Sequence, residues 1–579
     1  MVGRTHYASE ITQDLVGQAV TAAGWVHRRR DHGGLIFIDL RDRSGLVQIV
    51  VDPSQADVFE QAERVRNEYV VRVSGQVELR PVGMINPDIA SGTVEIRPGV
   101  FEIVSASQPL PFVPSEAENV DELLRLKYRY LDLRRPGLLN NFILRDRVLH
   151  ATRDYLHQHG FLDVETPSLA RSTPEGARDF LVPSRLHPGS FYALPQSPQI
   201  FKQLLMVAGF DRYYQIAKVF RDEDLRADRQ PEFTQIDVEM SFVEREQIFD
   251  VMENMVHAIF QEALGEPLEP FVRITWRDAM KLYGSDKPDL RAGEPLCGLT
   301  ETARTLSWEV IANAPVVSGV VIRQYVPSRK QLDSWVAMAR ELGAPGLLWI
   351  IQEEGNARSS GFKMLGVDGI ATISQAAQLR PGDTLLVVAG ENPGTYQVAG
   401  HLRLELARQL ERLTSGFKFL WVTEFPLFEW SNEEGRVVSA HHPFTMPHPD
   451  DLAWLESDPL RVRSEAYDVV LNGVELASGS LRIYQPELQS RIFAVLGLSE
   501  EEITSKFGFL LQAFQYGAPP HGGIAFGLDR LVMLMASAKS LREVIAFPKT
   551  ARGIDPLMDS PSPVDGQQLV DVHLRTTNP

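Results

Sequence analysis

FRDEDLRADRQPEFTQID, residues 220–237, concentrates three arginines and six carboxylates in 18 residues. Apolar, strand-like sequence flanks this stretch, with RYYQIAKVF (212–220) before it and VEMSFV (238–243) after it. A solvated hairpin tip is one interpretation, because exposed ion pairs contribute little to stability. A loop that holds a polyphosphate and its metal is the other interpretation. The stretch alone predicts a charged loop between two strands.

The composition indicates an intracellular protein with several domains. Of 579 residues, 44% are hydrophobic and 23% are charged, and this length allows three or four domains. The single cysteine, Cys297, excludes an intramolecular disulfide and fits a reducing cytoplasm. The N-terminus lacks the apolar core of a signal peptide, and no apolar run approaches the roughly 20 residues that span a bilayer. We therefore expect a cytoplasmic protein with no membrane partner.

The charge balance bears on nucleic-acid binding. The sequence has 58 basic and 76 acidic residues, so its net charge is −18, which argues against nonspecific coating of nucleic acid. Basic runs at 27–34 (HRRRDHGG) and 125–135 (RLKYRYLDLRR) still allow a local basic surface, because charges are screened over about 8 Å at physiological salt.

Residues 1–108 predict a small β-barrel. Five short strand-like runs, separated by turn residues, begin near positions 19, 34, 45, 69 and 92. In the second run Ile36, Ile38 and Leu40 alternate toward the core, so Phe37 points outward. An outward aromatic near basic residues can stack on a base, although a single exposed phenylalanine is usually incidental. Five strands closing into a barrel predict an oligonucleotide-binding (OB) fold.

The rest of the chain mixes helices and strands. Helical spacing predicts a helix over 138–159 that ends at Gly160, and a second helix over 244–264. Residues 285–415 predict a separate α/β unit in which we find no constellation of chemically active residues. Together with the barrel, these patterns predict an α+β multidomain protein.

YDVVLNGVELASGSLRI, residues 467–483, predicts a β-hairpin that turns at Asn472 and Gly473. This register places Val470 opposite Glu475, with Asp468 diagonal to Glu475 on the same face. Two carboxylates at this spacing repel each other unless a cation lies between them, and oxygen ligands suit Mg²⁺ accompanied by phosphates. A solvated polar face is the alternative.

GGIAFGLDRLVMLM, residues 522–535, predicts a glycine-rich strand that runs into an apolar helix. Glycine lets a ligand approach the backbone closely, and Arg530 near the start of the helix suits an anion. No Gly-Lys-Ser or Gly-Lys-Thr follows, so this is not a Walker loop. Structural packing would also explain the glycines.

Three stretches of the sequence, taken together, resemble a known family. GFLDVETPSL (160–169), the charged stretch continued to Phe242, and GGIAFGLDRL (522–531) are similar, in this order, to motifs 1, 2 and 3 of class II aminoacyl-tRNA synthetases. The resemblance covers essentially the whole chain and is closest to the bacterial-type aspartyl-tRNA synthetases of class IIb. Three further stretches carry that closer resemblance: LPQSPQIFKQLLM (194–206), HHPFT (441–445) and ELASGSLRI (475–483).

The resemblance implies a division of the chain and a fold. The catalytic domain would be an antiparallel β-sheet flanked by helices, with motif 1 forming the interface of a symmetric homodimer. The implied parts are an OB-fold anticodon-binding domain at 1–108, a hinge at 109–135, catalytic parts at 136–284 and 416–579, and a bacterial-type inserted domain at 285–415.

The resemblance also implies an activity and its residues. The enzyme would activate L-aspartate with ATP and Mg²⁺ to aspartyl-adenylate plus pyrophosphate, then transfer aspartate to the 3′ end of tRNA-Asp. The implied catalytic residues are Arg221, Arg530 and Glu475, and the implied metal ligands are Asp468 and Glu475. The implied ATP contacts are Arg221, Asp222, Glu223, Gln230, Phe233, Glu475, Gly527, Leu528, Asp529 and Arg530. The implied aspartate contacts are Glu175, Ser197, Gln199, Lys202, Arg221, Asp237, His441, His442 and Arg482.

A last implication concerns tRNA. The implied tRNA contacts are Arg28, His32, Phe37, Gln48, Gly83, Arg226 and Arg229. His32 and Gly83 resemble the residues of members that also charge tRNA-Asn, whereas stricter members tend to carry a bulkier aliphatic residue and a lysine. Less bulk and charge near the anticodon would relax discrimination, so charging of tRNA-Asn is a hypothesis.

Two alternatives remain open at this point. The first is an asparaginyl- or lysyl-tRNA synthetase, but Arg482 and Lys202 would meet an amide or an ammonium group with unsatisfied donors or repulsion. The second is an inactive paralogue that only binds tRNA. Loss of the phosphate-binding positions would be expected there, yet Arg221, Glu475 and Arg530 are all present.

Overall fold

The computed structural model describes residues 3–172, 177–225 and 228–577. The chain divides into two compact units. The first unit comprises Met1–Ile143 with Arg542–Ser562, and the second comprises Leu144–Leu541 with Pro563–Pro579. Within the described ranges, no helix is both long enough and apolar enough to cross a membrane.

A closed five-stranded barrel forms the N-terminal part of the first unit, which confirms the predicted OB fold. The strands neighbour one another in the order β1-β2-β3-β5-β4. Ile36, Ile38 and Leu40 are buried in the barrel core as predicted, whereas Phe37 stays partly exposed on the opposite face. The elements are β1 (Ala19–His32), β2 (Leu35–Asp42), β3 (Gly45–Val51), α1 (Ala56–Arg64), β4 (Val70–Leu79) and β5 (Val94–Ser105).

Helix α1 was not predicted. Its sequence buries only Ala62 completely, with Val58 and Phe59 packed partly against the barrel core. Val58, Phe59 and Ala62 do recur at helical spacing, but nine residues are fewer than the roughly 11–18 over which that spacing identifies a helix.

After the barrel, the first unit continues through the predicted hinge, residues 109–135, as a series of short helices. It contains α2 (Glu122–Lys127), α3 (Arg129–Asp132) and the first residues of α4 (Pro136–Gln158), which continues into the second unit. The buried guanidinium of Arg129 pairs with Asp132 and donates to three backbone carbonyls in the Arg542–Ser562 segment. Burying an arginine in this way is tolerated because its donors are satisfied, so this segment is held to the first unit.

An eight-stranded, mostly antiparallel sheet forms the centre of the second unit, as predicted for the catalytic domain. Its order is β11-β17-β20-β21-β22-β10-β9-β6, with parallel pairs only between β6 and β9 and between β11 and β17. Up to the inserted domain, the elements are β6 (Leu162–Asp163), β7 (Leu181–Pro183), β8 (Phe191–Ala193), α5 (Gln199–Val207), β9 (Arg212–Phe220), β10 (Glu232–Ser241), α6 (Arg245–Leu264), β11 (Val272–Thr275) and α7 (Trp276–Tyr283).

Residues 285–415, which were predicted to be an inserted domain, contain a separate five-stranded sheet in the order β12-β13-β16-β14-β15. Helices pack on both faces, because two separate groups of buried apolar residues lie against it. Its elements are β12 (Cys297–Gly298), α8 (Thr300–Ala303), α9 (Glu309–Ala312), β13 (Val316–Ile322), α10 (Arg329–Glu341), β14 (Leu348–Glu353), β15 (Asn356–Ser359), α11 (Phe362–Ala376), β16 (Thr384–Gly390) and α12 (Gly394–Gln409).

The chain then returns to the large sheet. Asn472 and Gly473, both at positive φ, form the predicted hairpin turn between two strands, and Val470 pairs with Glu475 as expected. A bulge next to Val470 places Asp468 opposite Ser478. The elements are β17 (Phe419–Thr423), β18 (Phe428–Ser431), β19 (Arg436–Ser439), β20 (Ala466–Leu471), β21 (Val474–Leu481), α13 (Pro486–Val495), α14 (Glu500–Phe514), β22 (His521–Gly527), α15 (Leu528–Met535) and α16 (Gly566–Asp571).

Candidate active site

One cavity of about 590 Å³ lies on the large sheet and brings together most of the predicted substrate residues. Asp222, Asp468 and Leu528 are described but do not line it, and Glu175 and Arg226 lie outside the described residues. The predicted residues that line the cavity are Ser197, Gln199, Lys202, Arg221, Glu223, Arg229, Gln230, Phe233, Asp237, His441, His442, Glu475, Arg482, Gly527, Asp529 and Arg530.

A buried group of two cations and two carboxylates forms one end of the cavity. Arg482 Nε and Nη2 donate to Glu239 Oε1 and Oε2 at 3.0 and 3.2 Å. Lys202 Nζ lies 3.2 Å from Asp237 Oδ1 and 3.4 Å from Glu239 Oε2. Glu239 therefore fixes both cations that were predicted to bind the aspartate side chain, and the sequence analysis missed it. The alternation of β10 carries the signal, because Gln235, Asp237 and Glu239 share one face.

The charges in this group are strongly shifted by their surroundings. Burial by itself would raise the pKa of Glu239, but Arg482 and Lys202 outweigh it, so the pKa is lowered. Burial raises the pKa of Asp237, and Lys202 offsets only part of that effect. Asp237 Oδ2 and the amide nitrogen of Gln199 are buried atoms without a hydrogen-bond partner among the described residues. Both atoms are available to a polar ligand in the cavity.

Glycine at position 523 is required by the Glu239 carboxylate. Gly523 pairs with Glu239 across β22 and β10, and a Cβ there would overlap the Glu239 carboxylate and the Val238 carbonyl oxygen. We expect Gly523→Ala to lower stability by about 1–3 kcal/mol and to weaken aspartate binding by displacing Glu239. Thermal unfolding and the KM for aspartate check this.

Gly508→Ala is the matched control for that substitution. Gly508 lies inside α14, where an added Cβ makes only ordinary contacts. Alanine is the better helix former by about 1 kcal/mol, so this variant should be at least as stable as the parent. A Gly523→Ala protein with unchanged stability and unchanged KM for aspartate would contradict the packing argument.

Two adjacent histidines contact the cation end of the cavity. His442 Nε2 lies 2.8 Å from Arg482 Nη1, and its Nδ1 accepts from the Phe444 amide at 3.2 Å. The ring of His441 meets Phe425 edge-on with centroids 5.0 Å apart. Burial lowers the pKa of His442 well below its usual range, and the charge of Arg482 lowers it further. Burial also lowers the pKa of His441, so both histidines are neutral at pH 7.

The lowered pKa of His442 predicts a loss of stability in mild acid. The unfolded chain takes up a proton below pH 6.5 and the folded chain does not, so the stabilisation is complete above pH 6.5 and decreases as the pH falls. At pH 5.5 this group therefore lowers stability relative to pH 7.5, by on the order of 1 kcal/mol. We expect His442→Gln to show a shallower decrease of Tm between these pH values. A slope in His442→Gln equal to that of the parent would contradict the argument.

The charged loop and the helix α15 form the other end of the cavity. The loop runs between β9 and β10, as predicted, and the Arg221 guanidinium lies over the Phe233 ring at 5.2 Å. Arg221 Nε is buried and has no hydrogen-bond partner in the described part of the chain. An arginine fixed on an aromatic ring with an unused donor suits a phosphate. At the rim, Arg229 pairs with Glu223 at 3.0 Å.

Asp529 holds this end together. Its Oδ1 accepts from Arg145 Nη1 at 2.5 Å, and its Oδ2 accepts from the backbone amide of Thr234 at 2.7 Å. It therefore ties α15 to β10 and to α4, and Arg145 was missed because nothing near it in sequence marks this contact. Arg530 Nη1 donates to the Glu475 carbonyl at 2.9 Å, which places its guanidinium between the loop and the β20–β21 hairpin.

The predicted metal pair lies beside Arg530. Burial raises the pKa of Asp468 well above its usual range and nearby Glu475 raises it further, whereas Lys287 and Arg530 lower the pKa of Glu475 against the effect of burial. Asp468 Oδ1 is buried with no hydrogen-bond partner among the described residues. Lys287 Nζ lies 3.2 Å from Glu475 Oε2. The described residues contain no group of three or more metal-binding side chains.

The predicted anticodon residues come together on the outside of the barrel. Strand pairing aligns Arg28, Asp39, Gln48 and Glu95 in one row across four strands. Phe37 lies in the next row, paired with Arg30 and Val50. Gln48 is nearly buried and donates to Glu95 at 3.2 Å. The row therefore offers hydrogen-bonding groups beside an aromatic ring, as base recognition needs.

Two of the predicted tRNA contacts, His32 and Gly83, lie away from that row, and two other residues of the first unit were not predicted. His32 ends β1 and Gly83, at a φ of 93°, lies in the β4–β5 connection, and both are exposed. Glu95 and Arg80 were not predicted. Arg80 is buried, donates to the Val94 carbonyl and keeps Nη2 without a partner among the described residues. The pairing of β3 with β5 brings Glu95 beside Gln48, although the two residues are 47 positions apart in the sequence.

Comparisons with known proteins identify the family of each part of the chain. A family model described as tRNA synthetases class II (D, K and N) matches residues 121–551, and one described as OB-fold nucleic acid binding domain matches residues 20–104. An asparaginyl-tRNA synthetase structure from Pyrococcus horikoshii, solved with asparaginyl-adenylate, superposes with a TM-score of 0.61 at 18% identity, over 95% of this chain and 99% of that one. At that identity the superposition supports the fold alone.

Two curated relatives are much more similar in sequence. Aspartate--tRNA(Asp/Asn) ligase of Caldanaerobacter subterraneus subsp. tengcongensis is 50% identical over 99% of this chain and 98% of its own length. Aspartate--tRNA ligase of Ruminiclostridium cellulolyticum is 49% identical over the same shares.

A cavity lined by arginine and lysine side chains on a mostly antiparallel sheet, in a chain that also contains an OB-fold barrel, is the arrangement of a class II aminoacyl-tRNA synthetase. The 50% and 49% identity to the two relatives over nearly the whole chain points to one family within this class. The chain belongs to the aspartate--tRNA ligase family.

Proposed function

We propose that the chain condenses L-aspartate with ATP to aspartyl-adenylate and pyrophosphate, and then transfers aspartate to the 3′ end of tRNA-Asp. The observation that carries the proposal is that Arg482 and Lys202 line the same cavity as Arg221 and Arg530. One pair of cations suits the side-chain carboxylate of the amino acid, and the other pair suits a triphosphate.

The geometry suggests how the amino acid is bound and selected. Glu239 occupies the Nε–Nη2 edge of Arg482, and Nη1 contacts His442 Nε2 and Ser480 Oγ. The substrate carboxylate would therefore meet the second N–H of Nη2 together with Lys202. Asp237 Oδ2 is an unused acceptor for the substrate ammonium group. Neutral His442 adds no charge beside Arg482. Asparagine would turn its NH₂ group toward Arg482 and Lys202, which can only donate hydrogen bonds. Buried polar groups would then stay unpaired.

Activation needs positioning and charge compensation more than covalent catalysis. The aspartate α-carboxylate attacks the α-phosphorus, and the bond to pyrophosphate breaks. Arg221 would stabilise the charge that develops on the α-phosphate, Phe233 would stack on the adenine, and Arg530 would bind the γ-phosphate. The remaining proposed nucleotide contacts are Asp222, Glu223, Gln230, Gly527, Leu528 and Asp529.

The pair Asp468 and Glu475 fits a magnesium ion. Magnesium keeps several waters and is held by one or two carboxylates plus substrate phosphates, so a pair of carboxylates suffices. The unpartnered Asp468 Oδ1 and the mutual repulsion of the two carboxylates support a cation between them. We propose that these residues hold Mg²⁺, which would neutralise charge on the phosphates.

We further propose a cytoplasmic, symmetric homodimer that forms through residues 160–169. The support is that β6 is an edge strand of the large sheet and that Leu162 and Leu169 expose 51% and 52% of their surface. A paired edge and covered apolar side chains are what a dimer would provide. Light scattering coupled to size exclusion measures the mass directly.

Transfer of aspartate to RNA tests the proposed function. Purified chain, ATP, Mg²⁺, radiolabelled aspartate and a tRNA-Asp transcript should give acid-precipitable label that requires ATP. Asparagine or lysine in place of aspartate should give none. Charging with lysine or asparagine, or tRNA binding without any charging, would instead support the alternative class IIb activities or the inactive paralogue.

Charging of tRNA-Asn is a separate proposal. It is supported by the exposed His32 and Gly83 at the barrel, and by relatives whose names include both tRNAs. We expect purified tRNA-Asn to be aspartylated with kcat/KM within about tenfold of tRNA-Asp. His32→Leu should lower the tRNA-Asn value selectively, because added bulk near the anticodon restores discrimination. No product above background with tRNA-Asn would contradict this proposal and leave the main function untouched.

A further inference from the structure

A ten-residue connecting segment, residues 284–293 (GSDKPDLRAG), leads from α7 into the inserted domain and passes over the β20–β21 turn. Gly473 in that turn packs against Asp289, since a Cβ on Gly473 would lie 3.1 Å from the Asp289 Cβ. Asp289 in turn accepts from the backbone amide and side chain of Arg291. The connecting segment therefore has a fixed position against the hairpin that carries Glu475.

The inserted domain holds this connecting segment in place. Arg403 of α12 is buried and donates to the backbone carbonyls of Asp289, Gly293 and Glu294 at 2.8–3.2 Å. Its guanidinium also lies 4.9 Å from the Tyr283 ring. Gly284 and Gly400 pack backbone against backbone, with no room for a side chain at either position. Three charge-assisted bonds and a close backbone contact make this a rigid attachment.

Lys287, near the middle of the segment, reaches into the catalytic cavity. Its Nζ lies 3.2 Å from Glu475 Oε2, and it lines the cavity together with Arg221 and Arg530. An ion pair whose partners are 44% and 35% exposed adds little stability by itself. Stability therefore does not explain the placement of a lysine on one of the two carboxylates suited to a metal.

We propose that Lys287 is a phosphate-binding residue of the active site, which neutralises Glu475 before ATP binds and contacts the triphosphate once a divalent ion occupies Glu475. The inference rests on the proposed function. A divalent ion and an ammonium group repel each other at one carboxylate, so the ion displaces Lys287. The lysine stem is flexible while its backbone is held, and the nearest uncompensated negative charge is then the triphosphate. The inserted domain thus supplies an active-site residue.

The test compares Lys287→Met with the parent chain in two binding measurements. The first is Mn²⁺ binding without nucleotide, followed by electron paramagnetic resonance, with Glu475→Gln to identify the site. The second is calorimetric binding of the β,γ-imido analogue of ATP with Mg²⁺ and no aspartate. Lys281→Met is the control, because Lys281 is an exposed lysine of α7 that does not line the cavity.

We expect Lys287→Met to bind Mn²⁺ at least about fivefold more tightly and the nucleotide at least about fivefold more weakly. Lys281→Met should match the parent in both. Unchanged or weaker Mn²⁺ binding by Lys287→Met would overturn the competition with the metal, and unchanged nucleotide affinity would overturn the phosphate contact. Neither binding measurement involves aspartate or tRNA. A negative result for Lys287 can therefore be distinguished from a failure of the chain to charge tRNA-Asp.

Discussion

Arg482→Gln is expected to lower kcat/KM for aspartate in ATP–pyrophosphate exchange by about 1,000-fold, because removing one partner of a buried charge pair costs roughly 3–5 kcal/mol. The substitution removes the proposed partner of the substrate carboxylate and leaves Glu239 with Lys202 as its remaining cation. The KM for ATP should change much less, since Arg482 lies at the amino-acid end of the cavity.

The control for this variant is Arg491→Gln. Arg491 forms an exposed ion pair with Glu456, and such pairs contribute about 0–1 kcal/mol. It should leave exchange within about twofold of the parent. Circular dichroism and thermal unfolding separate a loss of binding from a loss of fold. If folded Arg482→Gln keeps aspartate kcat/KM within tenfold of the parent, Arg482 does not read the side-chain carboxylate.

Arg221→Lys is expected to lower kcat of aspartate-dependent exchange by about 100- to 1,000-fold, the usual effect of losing one donor to a developing charge. Lysine keeps the positive charge but loses the planar fork and the stacking on Phe233. Because the proposed contact strengthens as charge develops on the α-phosphate, kcat should fall more than the KM for ATP rises.

Stopped-flow formation of adenylate, with Arg491→Gln as the control, measures this step without product release. The stability of Arg221→Lys should stay close to that of the parent, because Arg221 Nε has no hydrogen-bond partner among the described residues. An unchanged rate of adenylate formation would contradict the phosphate role of Arg221.

The fold was largely predictable because its local signals agree with one another. Alternation in GLIFIDLRD placed Ile36, Ile38 and Leu40 in the barrel core, and Asn472-Gly473 fixed the hairpin register. Helix α1 was not predicted because its nine residues are too few for helical spacing to be recognised. The bulge beside Val470 escaped as well, since nothing in the local sequence marks an extra residue.

The site was predictable only where residues lie inside recognisable stretches. Arg221, Arg482 and Arg530 fall within such stretches, and all three line one cavity. Glu239 could have been found from the alternation of β10. Lys287 and Arg145 could not, because each reaches its carboxylate partner across more than 180 residues of sequence. Contacts of that kind depend on the assembled sheet rather than on local sequence.

The central claim is that fixed cations select an amino acid with a side-chain carboxylate. Its most direct measurement is the ratio of kcat/KM for aspartate to that for asparagine in ATP–pyrophosphate exchange. A site built around charged donors should reject the amide by about 10⁴-fold or more. Asparagine must be freed of contaminating aspartate before the assay. A measured ratio of about 10⁴ or above agrees with Arg482 and Lys202 as the readers of the carboxylate. A ratio below about ten would contradict it.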